Sequence, residues 1–273
     1  MTAAPVERAG RGWLELREPI DGRSRASSLI PLLEPLLPAT GVLRIHDLGS
    51  GTGSMRRWLA PQLRGPQTWV EHDRDADLLR RGPQEPPTHS RDGFPVTVHT
   101  RTSDLEFLDD LEDASLVTAS ALLDVLTLAS LQNLTRLVSR TGAPCLLTLS
   151  VVGRVVLRPP DPMDNGVQSA FNAHQQRMTA IGSLLGPEAV SVAAHLFDES
   201  GMNVRVQPSP WHLGPECPDV LDAWLDGWVG AAREHDPGLD EGAEAYRARR
   251  QRQADAGQLH AVVHHVDLLA WPT

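Results

Sequence analysis

The residues best suited to chemistry lie in the segment 44–73. Asp47 ends an apolar run, Gly49, Gly51 and Gly53 follow at alternate positions, and Asp73 comes 20 residues after Gly53. Glycines so spaced let a chain turn sharply from strand to helix, and they let backbone amides approach a ligand with no Cβ in between. An acid at that distance, at the end of the next strand, is placed to accept hydrogen bonds from ribose hydroxyls while making few packing contacts. The three features in register point to a ligand that contains a nucleoside. A dinucleotide loop would run G-x-G-x-x-G, and its last glycine is Ser54 here.

The elements that must carry these residues alternate between strand-like and helix-like runs, the signature of a parallel α/β sheet. Residues 24–37 predict a leading helix interrupted by prolines, 42–48 a first strand, and 54–63 the helix after it. Strands follow at 67–72, 96–101, 115–119 and 145–152. Between them fall a helix beginning near Asp75, a loop over 82–93 and a helix over 128–138. The pattern then changes to a polar, proline-punctuated stretch over 153–187. A helix over 188–200, a strand over 203–207, two helices within 218–253 and a last strand over 259–270 complete the chain.

The glycine spacing, with an acid just before the loop, resembles motif I of the class I S-adenosylmethionine-dependent methyltransferases. The resemblance covers 42–152 well and 188–270 by topology only. It implies an α/β fold: a doubly wound, Rossmann-like, mostly parallel seven-stranded sheet with its last strand antiparallel. An N-terminal helix and helical insertions forming a lid complete it. The implied cofactor, S-adenosylmethionine, has no phosphate and ends in an ammonium and a carboxylate, which gives Asp47 an electrostatic role. Cofactor contacts are implied at Gly49, Ser50, Gly51 and Gly53, ribose contacts at Asp73, and adenine contacts at Asp104 and Leu105. The stretch from Ser120 to Asp124 would end near the methyl group. The chain is then a single domain over 1–273, with an arm (1–40), a cofactor-binding half (41–152) and two substrate or lid insertions (153–187 and 212–257).

Several of these residues also have plainer readings. Asp104 caps a turn as readily as it meets an adenine, and Asp124 suits a helix N-cap or a catalytic base equally well. Arg17, Arg23 and Arg25 precede the first strand. Arg25 is the candidate to pair bidentately with a carboxylate, the alternative being a solvated helix residue. The basic run 246–252 is flanked by Glu241, Glu244 and Asp255, so it predicts a solvated helix face.

If the last strand is antiparallel, the roughly 50-residue connection before it must rise over the ligand edge of the sheet, because it far exceeds a hairpin loop. Candidates for an acceptor pocket are Arg154, Asp164, Asn165, Asn172, His174 and Gln175 on the first insertion. On the second they are Trp211 and His212, while Trp224 and Trp228, four apart, predict core packing. Asp124, His174 and His212 are the candidate bases. Alignment of an already reactive methyl group can suffice without one.

Composition narrows the alternatives. All 25 basic residues are arginine, so a Schiff-base lysine or a Walker-type phosphate loop cannot be built. A formal charge of −10 argues against bulk attraction to nucleic acid or an anionic membrane. Cys145 and Cys217 suggest neither a disulfide framework nor a structural zinc site, and histidine spacing suggests no metal. The start of the chain is polar and shows no signal-peptide core, so a cytoplasmic protein is expected. The expected activity is methyl transfer to an oxygen or nitrogen of a small molecule. Methylation of RNA or protein, or a non-catalytic module that binds the cofactor, are the alternatives.

Overall fold

The computed structural model describes residues 10–80 and 88–273; the polar stretch 1–9 and the part of the expected loop at 82–87 lie outside them. The chain begins with α1 (Arg11–Ser24) and a short α2 (Ile30–Leu33) set among single 3-10 turns. The helix expected over 24–37 is therefore a string of short turns, broken where Pro31 and Pro35 cannot donate. The long helix lies just before it. Then come β1 (Leu43–Leu48), α3 (Ser54–Leu59), β2 (Gln67–Asp73), α4 (Ala76–Leu79), β3 (Val96–Thr102) and β4 (Leu116–Ser120). Next is α5 (Leu128–Thr141), whose first turn is capped by Thr127, its side-chain oxygen accepting from the Ser130 amide. Leu131, Leu134 and Val138 line its buried face.

β5 (Cys145–Arg158) runs past the expected end at 152, because its outer half pairs with the last strand, as far as Arg158 against His260. Gly153 and Arg154 interrupt the apolar run just past residue 152, and Val155–Leu157 resume it. The chain continues through α6 (Asp164–Gln175), the hairpin β6 (Met178–Thr179) and β7 (Gly182–Ser183), α7 (Ala189–Glu199) and β8 (Met202–Pro208). It ends with β9 (Trp211–Leu213), α8 (Pro218–His235), α9 (Asp240–Asp255) and β10 (His260–Pro272).

The main sheet has the order β3-β2-β1-β4-β5-β10-β8, with the short β9 also paired to β10. It thus has eight strands rather than the expected seven, because β9 adds three residues against Ala261–Val263. The pairs from β3 to β5 are parallel, and β10 runs antiparallel to both β5 and β8. The carboxyl ends of the parallel strands therefore share one edge.

One apolar cluster, with Leu131, Val138 and Phe197, covers one face of the sheet; a second, with Leu33, Met55, Leu59 and Trp69, covers the other. A third gathers α6, α8, α9 and the outer ends of β5 and β10 around Trp228 and Tyr246. Trp224 and Trp228 stack within it at 5.2 Å, as the four-residue spacing predicts. Among the described residues no helix is long and apolar enough to cross a membrane.

One buried acid fixes the N-terminal segment to this frame. Asp267 on β10 accepts from the Leu149 amide at 2.7 Å and, through its other oxygen, from the Ala26 amide at 2.7 Å. Leu149 has φ +55°, so a kink in β5 turns its amide toward the acid. Arg25 is set in place by this clamp.

Candidate active site

The strand–loop–helix joint is built as its glycines require. Gly49, Gly51 and Gly53 have φ of +63°, +56° and +84°, a region that favours glycine strongly. At Gly53 a Cβ would stand 2.7 Å from Glu71 Oε1 and 3.1 Å from an Arg56 nitrogen. Those two side chains form a buried ion pair at 2.8 Å and have no room to retreat. Gly53→Ala should therefore lower the thermal midpoint measurably, by the strain of a left-handed residue plus the displaced pair. An unchanged melting curve would show that the loop tolerates a different backbone.

The loop is tied to β2. Ser50 donates its amide to the His72 carbonyl at 2.9 Å, and Gly51 donates to Asp73 Oδ2 at 2.8 Å. The other Asp73 oxygen accepts from the Asp75 amide at 2.8 Å. Asp73 is thus half-buried and holds two backbone amides, which an exposed strand-end acid would not do.

Beside the loop lies a small cavity lined by Leu14, Arg17 and Asp21 of α1, by Asp47 and Ser54, and by Ser120. Asp47 is fully buried. Thr118 donates to its Oδ1 at 2.8 Å, and its Oδ2 has no partner. Burial, reinforced by the nearby Glu71 carboxylate, pushes its carboxyl up to about 7. Arg25, 3% exposed, donates through Nη2 to Ser54 and Ser120 at 3.1 and 3.0 Å, while its Nε and Nη1 have no partner. Burial lowers its pKa, and Asp21 is the strongest of the acids opposing that. Arg17 pairs with Asp21 at 2.8 Å and lies over the Trp211 ring.

A larger cavity opens from the same loop. Its wall on the β2–β3 side comprises Asp73, Leu78, Ser103, Asp104 and Leu105; on the β4 side it comprises Ser120, Ala121, Leu122, Val125 and Leu126. Leu14, Arg17 and Ile181 also line it.

Neither a protein-family model nor a curated protein sequence matches the chain. Solved structures do. A Bacillus halodurans protein assigned as a methyltransferase is 15% identical, with 90% of this chain and 100% of that one covered and a TM-score of 0.52. The chain has the class I methyltransferase fold. Weaker likenesses include a cyclopropane synthase of Mycobacterium tuberculosis, at 13% identity over 89% of this chain and 83% of that one, with a TM-score of 0.48. Another is a methyltransferase of Geobacter sulfurreducens in complex with S-adenosylhomocysteine, at 12% identity over the whole of both chains, with a TM-score of 0.44.

Within this methyltransferase fold, most residues singled out by the sequence converge on one edge. Gly49, Gly51, Asp73, Asp104, Leu105 and Ser120 line the larger cavity, and Asp47, Ser50 and Ser120 the smaller. Gly53 starts α3 behind them and Arg25 lies against Ser54 and Ser120. Asp104 also caps a turn, accepting from the Glu106 amide at 3.1 Å.

The candidate bases do not converge there. Asp124 accepts from Gln175 at 3.2 Å and is not among the lining residues, although burial raises its pKa. His174 is buried on α6 with Nε2 3.3 Å from Glu234, and His212 is exposed on β9. Trp211 lies in the third apolar cluster, and Asp164 accepts from the Tyr246 hydroxyl at 2.7 Å within the insertion. Arg23 is exposed. Of the two insertions, only Ile181 reaches the cavity among the described residues. The helix that covers the loop is instead α1, through Leu14 and Arg17.

Proposed function

We propose that this chain transfers a methyl group from S-adenosylmethionine to an oxygen or nitrogen of a small, largely apolar acceptor. Two buried groups of opposite sign carry this reading. The free Nε and Nη1 of Arg25 can only donate, and the free Oδ2 of Asp47 can accept, and both flank the glycine loop. A buried polar atom without a partner costs about 1–3 kcal/mol, more when charged, so such atoms are expected to meet a ligand. One donor set and one acceptor fit the carboxylate and ammonium of an amino acid. A diphosphate would instead meet Asp47 and Asp21 with like charge.

Arg25 would hold the carboxylate, Asp47 the ammonium, Asp73 the ribose diol, and Leu105 with Leu78 the faces of the base. When bound, the cofactor supplies an electrophilic methyl group on a sulfonium. The chain's own contribution is alignment and exclusion of water. From the strand order, the β4 side of the cavity lies across the glycine loop from the Asp73 side. There Ala121, Leu122, Val125, Leu126 and Ile181 are interrupted only by the hydroxyls of Ser120 and Ser130. Those walls favour an apolar acceptor that brings its own lone pair, since among the described residues no strong base lines that end.

Calorimetry tests the cofactor: binding of S-adenosylhomocysteine with no affinity for NAD is expected, and the reverse would overturn the class. Transfer of labelled methyl groups into extracts tests the acceptor. Label confined to RNA or protein would overturn the small-molecule reading, and no transfer at all would favour a binding module.

Asp47 makes the binding pH-dependent. An ammonium favours its carboxylate form, so affinity falls as pH drops through about 7. Between pH 8 and pH 6 the loss is roughly tenfold if one proton must leave, and Asp47→Asn flattens the profile. In the free protein the sign reverses. There the raised pKa adds stability below the ordinary aspartate range, and that stability is lost as pH rises through about 7. A flat affinity profile in the unaltered protein would remove Asp47 from the ammonium site.

A further inference from the structure

Behind the Asp73 wall, two buried histidines form a chain that ends in the cavity. His46 Nε2 lies 3.2 Å from the Glu112 carbonyl oxygen, His46 Nδ1 lies 3.0 Å from His72 Nε2, and His72 Nδ1 lies 3.1 Å from the Ser103 hydroxyl. Both imidazoles are 1% exposed. Burial holds both below the usual histidine range, His72 down to about 4, so both are neutral near pH 7.

A neutral imidazole has one donor nitrogen and one acceptor nitrogen. The Glu112 carbonyl can only accept, so the proton of His46 must sit on Nε2. Its Nδ1 is then bare and accepts from His72, whose proton must sit on Nε2 as well. The Nδ1 of His72 is bare in turn, and the Ser103 hydroxyl has to donate to it. Every proton in the chain is fixed by the carbonyl at its far end.

We propose that this chain makes Ser103 an obligate hydrogen-bond acceptor on the cavity wall, and thereby a determinant of specificity for an exocyclic amino group on the base. This rests on the cofactor reading above. Ser103 and Asp104 are consecutive lining residues, next to Asp73, which the reading gives to the ribose. With its only proton committed to His72, Ser103 Oγ turns lone pairs toward the ligand, as the Asp104 carboxylate does. Two acceptors match the two N–H groups of an adenine amino group. A keto oxygen at that position would meet lone pairs from both.

His46 and His72 are positioning residues, acting only through Ser103. Sequence reasoning placed no function on Ser103 or on either histidine. A signal was present all the same: in both β1 and β2 the histidine immediately precedes the strand-end acid, as His46-Asp47 and His72-Asp73.

The test compares S-adenosylhomocysteine with S-inosylhomocysteine, in which a keto group replaces the amino group, by calorimetry. The unaltered protein should prefer the adenosyl ligand. Ser103→Ala should narrow that preference by about three- to tenfold, the worth of one hydrogen bond, and Ser103→Thr should retain it. His72→Phe should narrow it too although the hydroxyl remains, because the freed proton can then turn to the keto oxygen. A merely structural loss would weaken both ligands and leave their ratio unchanged.

Multiple-bond nitrogen–proton spectra of the unaltered protein read the tautomers directly, whether or not His72→Phe folds. Both imidazoles should carry hydrogen on Nε2. A proton on either Nδ1, or an unchanged ratio in Ser103→Ala, would overturn the proposal while leaving the cofactor reading intact. Failure of the unaltered protein to bind either nucleoside would overturn both.

Discussion

Replacing Arg25 by methionine should weaken S-adenosylhomocysteine binding by about one to two decades without lowering the thermal midpoint of the free protein. A charge-assisted hydrogen bond contributes about 1.5–3 kcal/mol, and the loss of one such bond to the carboxylate gives that range at about 1.4 kcal/mol per decade. The stability half of the prediction has the opposite origin. Arg25 is 3% exposed and has two guanidinium nitrogens without partners, so the free fold bears a desolvated cation that it satisfies only in part. Exchanging such a group for an apolar one of similar length is often neutral or stabilising. The same side chain also lies over Trp58 and bonds Ser54 and Ser120, which a methionine would replace by packing alone. Calorimetry and thermal melts on one preparation measure both halves. A destabilised variant with unchanged affinity would make Arg25 a structural residue and would leave the carboxylate without a partner.

Asp73→Ala should cost one to three decades in affinity for the same ligand, by loss of the acceptor for two ribose hydroxyls. Unlike Arg25→Met, it should also lower the melting temperature, because Asp73 holds the Gly51 and Asp75 amides at 2.8 Å each. Asp73→Asn separates the effects: one amide-bonding oxygen survives while the ionised acceptor is lost, so affinity should fall more than stability. Asp77→Ala is the control, since that side chain lies at the surface and pairs with the exposed Arg80 three residues on. A folded Asp73→Ala protein with unaltered binding would dismantle the nucleoside reading that its spacing supports.

Those two residues differ in how far the sequence revealed them. Asp73 belongs to a local pattern: strand, three glycines, helix, strand, acid. Every member lies within about thirty residues, and parallel pairing of β1 with β2 then brings the acid to the loop with no further information. Arg25 could be named as a candidate but not placed. Its position depends on Asp267 gripping the Ala26 amide, a contact across 241 positions that no periodicity reports.

The leading helix lies upstream of the expected run 24–37 for a related reason. Its sequence, RGWLELREPIDGRS, contains Pro19, while the apolar run after it looked the better helix. What holds α1 is its tertiary setting, including the Glu18–Arg57 pair at 2.5 Å and the Arg17–Asp21 pair. The acceptor-side candidates on the insertions were chosen by edge position alone. The insertions pack mainly on each other around Trp228 and Tyr246, and α1 takes the place beside the loop.

The placement of α1 has a kinetic consequence. The wall that would take the base and ribose belongs to the larger, open cavity, whereas the unmatched ends of Arg25 and Asp47 flank the smaller one roofed by Leu14, Arg17 and Asp21. A nucleoside can therefore enter the open cavity first, past the edge of α1 at Leu14 and Arg17, but the amino-acid tail has to pass beneath the helix. Association should split into a fast encounter that scales with ligand concentration and a slower step that does not. The slower rate would be set by breaking the Glu18–Arg57 pair, in the microsecond-to-millisecond range typical of lid motions. Adenosine alone would show the first phase and lack the second. Release of spent cofactor would retrace the same path, so the rate at which one N-terminal helix lifts would set a ceiling on turnover.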